Sequence, residues 1–306
     1  VCYSAQIEAD YRKYTSMFGA AMSLREFAEL YWEHGGREPK APLAMEAAFF
    51  SAQTADERRI QSLIAERRAV RSTKLEQEIF EQRARLAKAE QILETKTTKA
   101  ATENKRIATD KIDSALRRLD DLKRTIIKDG DSRIFPGWYA PVMIVQDGRR
   151  LVVPMRYRCR LPGWTEAMEK DKDGTYNARR NNLNRVWGKL FGYNHGIMIV
   201  NRFYEHVDRS GTDVVLQFDP SPQQQMLAAC LWSRTAISGE PDLLSFAAIT
   251  DEPPPEIAAA GHDRCIVPIK PDNVDAWLNP NPSDLAAQYA ILDDRERPYY
   301  EHRLAA

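Results

Sequence analysis

A cysteine at position 2, behind a single valine, is the most chemically unusual feature of the chain. Removal of residue 1 leaves an N-terminal cysteine, with an α-amine of pKa about 7.7–8.0 and a thiol of pKa about 8.5 on adjacent carbons. An aldehyde condenses with that amine to an imine, and the thiol then closes a five-membered thiazolidine ring. Neither an internal cysteine nor an N-terminal serine does this comparably well. Valine at position 1 reads as a GTG start codon translated literally, the initiating Met being removed in the cell. The plainer reading of Cys2 is a small buried residue in a terminal strand. Further on, Arg156, Arg158 and Arg160 alternate, which puts three cations on one face of a strand. Such a row seldom faces a core and suits a phosphate groove. Trp138, Trp164 and Phe203 can stack on unpaired bases or simply fill a core. His262-x-x-Cys265 is at most a metal half-site, since no second pair stands at usable spacing; no metal and no cofactor is expected.

The elements that must position these residues divide into two textures. Between Pro42 and Gly130 there is no Pro or Gly, and apolar residues recur at helical spacing: Ile60, Ile64, Leu75, Ile79 and Leu86, then Ile107, Ile112, Leu116, Leu119 and Leu122. This pattern predicts two long antiparallel amphipathic helices forming a coiled coil over residues 51–130. The run Thr95 to Thr102, poor in apolar residues, is the expected reversal. Ser23 and Glu26 frame a capping box that opens an earlier helix. After Gly130 come short β-branched or aromatic runs at Trp138–Val145, Leu151–Tyr157, Ile197–Phe203, Val214–Phe218, Ala228–Trp232 and Phe246–Thr250, punctuated by Gly, Pro, Asn and Asp. Short helices fit Asn182–Phe191 and Val274–Leu278. The fold class is therefore α+β: a mixed sheet or barrel with short helices, formed by residues 1–50 and 131–306 and interrupted by the helical insertion. Four cysteines without paired spacing argue for a reducing compartment. No apolar stretch approaches the roughly 20 residues of a membrane span, and the first residues show no secretory pattern.

Several short motifs stand in a telling order: Cys2, then Asn177-Ala178-Arg179, then Asn201-Arg202-Phe203-Tyr204-Glu205, then Ala247-Ala248-Ile249-Thr250, then Gly261-His262-Asp263-Arg264 with Pro268, and finally Trp277-Leu278. Together with Leu161-Pro162-Gly163-Trp164, this series resembles the SRAP family, named for SOS-response-associated peptidases. The resemblance covers about residues 1–50 and 131–280. There are departures: Tyr3-Ser4 replaces the usual Gly-Arg, the Glu-Thr after Asn-Ala-Arg is absent, Arg202 replaces Gly, and His206 replaces the tryptophan after the glutamate. The helical insertion is extra.

The resemblance implies a DNA-damage-response protein that crosslinks itself to abasic sites in single-stranded DNA, with Cys2, Glu205 and His262 as catalytic residues. Glu205 would open the closed sugar to its aldehyde and shuttle protons, and His262 would be the second acid/base group. Cys2 would supply both nucleophiles. Asn177 would hold the sugar or a phosphate and Arg179 a phosphate, with Arg156, Arg158 and Trp164 as further DNA contacts. It also implies autoproteolytic removal of residue 1, lyase-like chemistry, and a cytoplasmic, nucleoid-associated setting in a bacterium. Taken alone, His262 is a satisfied structural histidine, Glu205 an exposed edge charge and the Arg179-Arg180 pair a solvated one. Two other functions stay open: a thiol autopeptidase or N-terminal-nucleophile amidohydrolase, and a non-catalytic protein acting through its helical hairpin, by a protein partner or by self-association over residues 56–128.

Charge at first argues against nucleic acid, since 44 Lys+Arg balance 44 Asp+Glu. The balance is uneven along the chain. Residues 56–128 carry a net +6, residues 131–211 another +6, and residues 212–306 a net −9. Indiscriminate binding is excluded; a locally basic cleft is not.

Overall fold

The computed structural model describes residues 3–31, 39–172, 174–237 and 240–305. The chain divides into two compact units, one formed by residues 1–51 and 128–306 and the other by residues 52–127.

The larger unit carries the strands: β1 (Ser4–Ile7), β2 (Ala21–Met22), β3 (Arg133–Ile134), β4 (Tyr139–Gln146), β5 (Arg149–Tyr157), β6 (Asn177–Arg179), β7 (His195–Arg209), β8 (Thr212–Ser221), β9 (Met226–Ile237), β10 (Glu240–Asp251), β11 (Cys265–Ile266) and β12 (Tyr299–Leu304). Following the pairings closes a ring. β10 runs parallel to β5, β5 pairs antiparallel with β4, β4 with β7, β7 with β9, and β9 returns to β10. The fold is thus a closed mixed β-barrel with added strands and helices, as the α+β reading requires. Closure removes edges and gives the apolar runs a shared interior. Phe203, Phe218, Phe246, Tyr157 and Trp277 are among the fully buried side chains. Gly196 is required where β7 crosses β4, because a Cβ at this position would stand 2.8 Å from Val142 Cγ1.

Around the barrel lie α1 (Tyr11–Phe18), α2 (Leu24–Tyr31) and α3 (Leu43–Ala47), and, later in the chain, α6 (Glu166–Lys170), α7 (Pro255–Ala259), α8 (Val274–Leu278) and α9 (Leu285–Asp293). α8 matches its expected span, and α2 starts directly after Ser23, whose hydroxyl meets Glu26. The helix expected over 182–191 is instead a 3-10 turn, Arg180–Asn182, followed by consecutive turns to residue 193. Two glycines, Gly188 and Gly192, and two asparagines, Asn182 and Asn184, favour turns over a continuous helix in that window.

The smaller unit is a hairpin of α4 (Ala55–Thr95) and α5 (Lys99–Lys123), reversing at residues 96–98. α4 opens with a capping box, Thr54 accepting from the Glu57 amide while the Glu57 carboxylate accepts from the Thr54 amide. Thr98 caps α5 through the Ala101 amide. Leu75, Ile79, Ala115 and Leu119 form a buried seam, flanked by Arg85 donating to Asn104 and Lys105 paired with Glu90. Leu116, expected on this seam, is turned outward, and alanines Ala101, Ala108 and Ala115 take the close positions. Among the described residues, no helix is long and apolar enough to cross a membrane.

Candidate functional site

Glu205 lies in β7, between β1, which pairs with it through Ser4 and Tyr204, and β8, where Leu216 stands opposite Glu205 itself. Its side chain is wholly buried, not an exposed edge charge. A buried carboxylate needs donors or neutralisation, and its Oε2 is met by a backbone amide and an imidazole. The Tyr3 amide donates across 3.3 Å, and His262 Nε2 lies 3.3 Å away. His262 reaches this point because Gly261, two residues beyond the end of α7, turns the chain back with a φ of +99°. A Cβ on Gly261 would press on Val207 Cγ1 at 2.9 Å. The His262 amide donates to Ile257 O, which fixes the turn.

The neighbouring Asp263 extends this group. Its carboxyl is held well below the usual carboxylate range, first by the Arg264 hydrogen bond and then by that residue's charge. Arg264 is raised in turn by Asp263, with a smaller contribution from Glu205. Arg179, on β6, reaches Asp263 at 3.5 Å and Glu252 at 3.3 Å. β6 runs parallel to β10, with Asn177 opposite Ala248 and Arg179 opposite Thr250. Asn177 and Arg179 therefore share one face of the strand. Asn177 is buried and accepts from Tyr157 Oη at 3.4 Å.

Tyr3, Glu205, His262, Asp263 and Arg179 thus form one continuous series of contacts. Cys2 itself lies outside the described residues, but Tyr3 is its covalent neighbour. Arg156, Arg158 and Trp164 gather elsewhere, around α6. The guanidiniums of Arg156, Arg158 and Arg160 converge on the buried carboxylate of Glu169, Arg160 Nε at 2.7 Å. The strand ends at Tyr157, so the row is completed by the loop beyond it. Desolvation lowers the Arg156 pKa, opposed by the charge of Glu169. Trp164 is half-buried with Lys172 Nζ 5.0 Å above its ring. Tyr157, between Arg156 and Arg158, links this group to Asn177 through its hydroxyl.

Three residues escaped the sequence reading. Glu169 gave no signal, because nothing in a polar five-residue helix marks a carboxylate that three arginines will surround. Asp263 stood inside a quoted motif without a role. Thr250 did too; it is fully buried, its hydroxyl finds no partner among the described residues, and it sits opposite Arg179. The other cysteines are poor nucleophiles. Burial pushes the Cys159 thiol up to about 12, and it pushes Cys230 and Cys265 up as well, the charge of Glu205 adding to the last. All three are free and buried. Among the described residues, no group of three or more His, Cys, Asp or Glu is placed to hold a metal ion.

The family model for SRAP, the SOS response associated peptidases, matches residues 106–303. The chain belongs to the SRAP family. The match spans Asn177, Arg179, Glu205, His262 and the three arginines around Glu169, and begins after the segment with Cys2. Membership carries a DNA-damage-associated role and DNA binding. None of the curated proteins compared matches the chain. Among solved structures, a protein from Bordetella bronchiseptica is 18% identical, with a TM-score of 0.48, covering 57% of this chain and 87% of its own. One from Bacteroides thetaiotaomicron is 13% identical, TM-score 0.48, over 61% and 82%. A phage-related protein from Bordetella bronchiseptica is 16% identical, TM-score 0.45, over 57% and 81%.

Proposed function

We propose that this SRAP protein joins itself covalently to abasic sites in single-stranded DNA through Cys2, shielding the lesion. The observation that carries the reading is the buried Glu205 carboxylate, met at once by His262 and by the amide of the residue that follows Cys2. An abasic deoxyribose rests mainly as a ring-closed hemiacetal. Glu205 takes the hemiacetal hydroxyl proton while the ring oxygen is protonated, which frees the aldehyde. The free α-amine of Cys2 adds to that aldehyde and water leaves, giving an imine. The thiol sulfur then bonds to the imine carbon as its proton passes to nitrogen, closing the thiazolidine. His262, against Glu205, is the second group able to give or take these protons.

Arg179 and Asn177 hold the phosphate and sugar beside the lesion. Arg179 is partly exposed and loosely held by two exposed carboxylates, a geometry a phosphate can compete with. Around α6, three guanidinium charges face one carboxylate, leaving an excess of positive charge for the strand, with Trp164 as a stacking surface. The chemistry requires an unblocked amine on Cys2, and so the absence of Val1. Autoproteolysis of residue 1, an amide hydrolysis, is the peptidase component of the same proposal.

A labelled single-stranded oligonucleotide with one abasic site should yield an adduct that survives SDS. Cys2→Ala should abolish it, and Glu205→Gln should slow its formation by about 10²-fold or more. An undiminished adduct from Cys2→Ala would reject the proposal. Steady-state peptide cleavage without DNA would favour the amidohydrolase instead.

A further inference from the structure

The hairpin has a second patterned face. Val70, Thr73, Gln77, Phe80, Ala84 and Ala87 repeat at alternating steps of three and four along α4, the spacing of a helix-pairing seam. At 100° per residue this row lies about 150° around the helix from Leu75 and Ile79, which face α5. α4 is charged at 17 of its 41 positions, yet at none of these six. All six are exposed, and Phe80 keeps 76% of its surface in water. An exposed phenylalanine at the centre of a seam is a large apolar side chain without a pocket.

The flanking charges select the occupant. Lys74 and Glu81 border the row on one side, Glu76 and Arg83 on the other. None of the four makes an ion pair among the described residues; Glu76 and Glu81 accept only long bonds from Ser72 and Gln77 of the same helix. We propose that this face binds the same face of a second copy of the chain, with the two α4 helices antiparallel and Gln77 opposite Phe80 of the second copy. In that register Thr73 meets Ala84 and Val70 meets Ala87. Lys74 then faces Glu81, and Glu76 faces Arg83, each pair formed twice by the two-fold symmetry. Only Arg67 facing Lys88 at each end is unfavourable.

Other arrangements reverse the signs. A slip of seven residues one way sets Lys74 against Lys88 and Glu76 against Glu90, with Glu81 and Arg83 each against its own symmetry mate. The opposite slip sets Lys74 against Lys74 and Glu76 against Glu76. Parallel pairing sets Glu76 against Glu81 and Arg83 against Lys88. Among these arrangements, charge complementarity on both flanks is found only in the first antiparallel register. The proposal does not depend on the crosslinking chemistry.

Sedimentation equilibrium of the full chain across about 1–100 μM is the test. A reversible dimer is expected. Phe80→Asp should weaken it at least about tenfold, with helical circular dichroism unchanged. Glu76→Arg should weaken it roughly tenfold, and E76R with R83E together should restore it. A native chain monomeric across the range, or a dimer indifferent to Phe80→Asp, would overturn the proposal. Tighter dimers from Glu76→Arg alone would overturn the antiparallel register.

Discussion

Glu205 and His195 are both buried polar groups in the same strand, and they differ in what their surroundings ask of them. Glu205 is met at one oxygen by an amide and by an imidazole, an arrangement suited to moving protons. His195 is a structural histidine: its Nε2 accepts from the Gly192 amide at 2.8 Å, Nδ1 meets Trp277 O at 3.0 Å, and the ring packs 3.9 Å from the Trp277 ring. Burial lowers its pKa to about 3, with the Trp277 bond opposing. The folded chain therefore resists a proton that the unfolded chain accepts below about 6.5. The neutral histidine costs no stability above that pH, and stability falls as pH drops from 6.5 toward 3, by about 2 kcal/mol at pH 5. Urea unfolding of the native chain and of His195→Gln should show this slope in the first and its loss in the second. The sequence marked His262 through its motif, but offered no means of telling that the other histidine of interest, His195, was the satisfied one. That distinction depends on which backbone groups the barrel brings within reach.

At the scale of elements, alternation and helical periodicity carried far. The hairpin reversal, α8, and the runs that became β4, β5, β7, β8, β9 and β10 were all legible from spacing alone. Most of the observed strands are longer, β7 reaching His195–Arg209, because ladder pairing extends past the apolar stretch into polar residues such as Asp208 and Arg209. Turn-rich segments were less legible: residues 182–191 have apolar spacing that suits a helix, but Asn182, Asn184, Gly188 and the following Gly192 govern the backbone. Barrel closure by parallel β5 and β10, residues 149–157 and 240–251, is a long-range pairing with no local signature. The same limit hid the ion cluster at α6. Three arginines two residues apart were visible, but their common partner Glu169 was not. Since Arg160 and Glu169 are both buried, Glu169→Gln leaves guanidinium charge without its counterion. It should cost about 3 kcal/mol in urea unfolding, whereas a purely surface pair would cost under about 1.

At the scale of the molecule, a neutral chain is assembled from unlike parts. The segment holding Asn177, Arg179 and Glu205 is basic, the last third is acidic, and the basic hairpin forms a compact unit of its own. α3 packs on the turn Asp129–Ser132, so the points where the larger unit leaves and rejoins the hairpin lie close together. Replacing residues 52–127 by a short flexible linker should leave crosslinking to abasic DNA intact while abolishing self-association. Loss of crosslinking in that variant, with the remaining unit folded, would assign the chemistry to the hairpin. The central claim is that Cys2 is the residue joined to DNA. Mass spectrometry of the adduct after proteolysis and nuclease digestion tests it most directly. The account predicts an N-terminal peptide beginning at Cys2, with no Val1, carrying the sugar remnant with loss of one water. A sugar remnant on any other residue, or on a peptide that retains Val1, would contradict it.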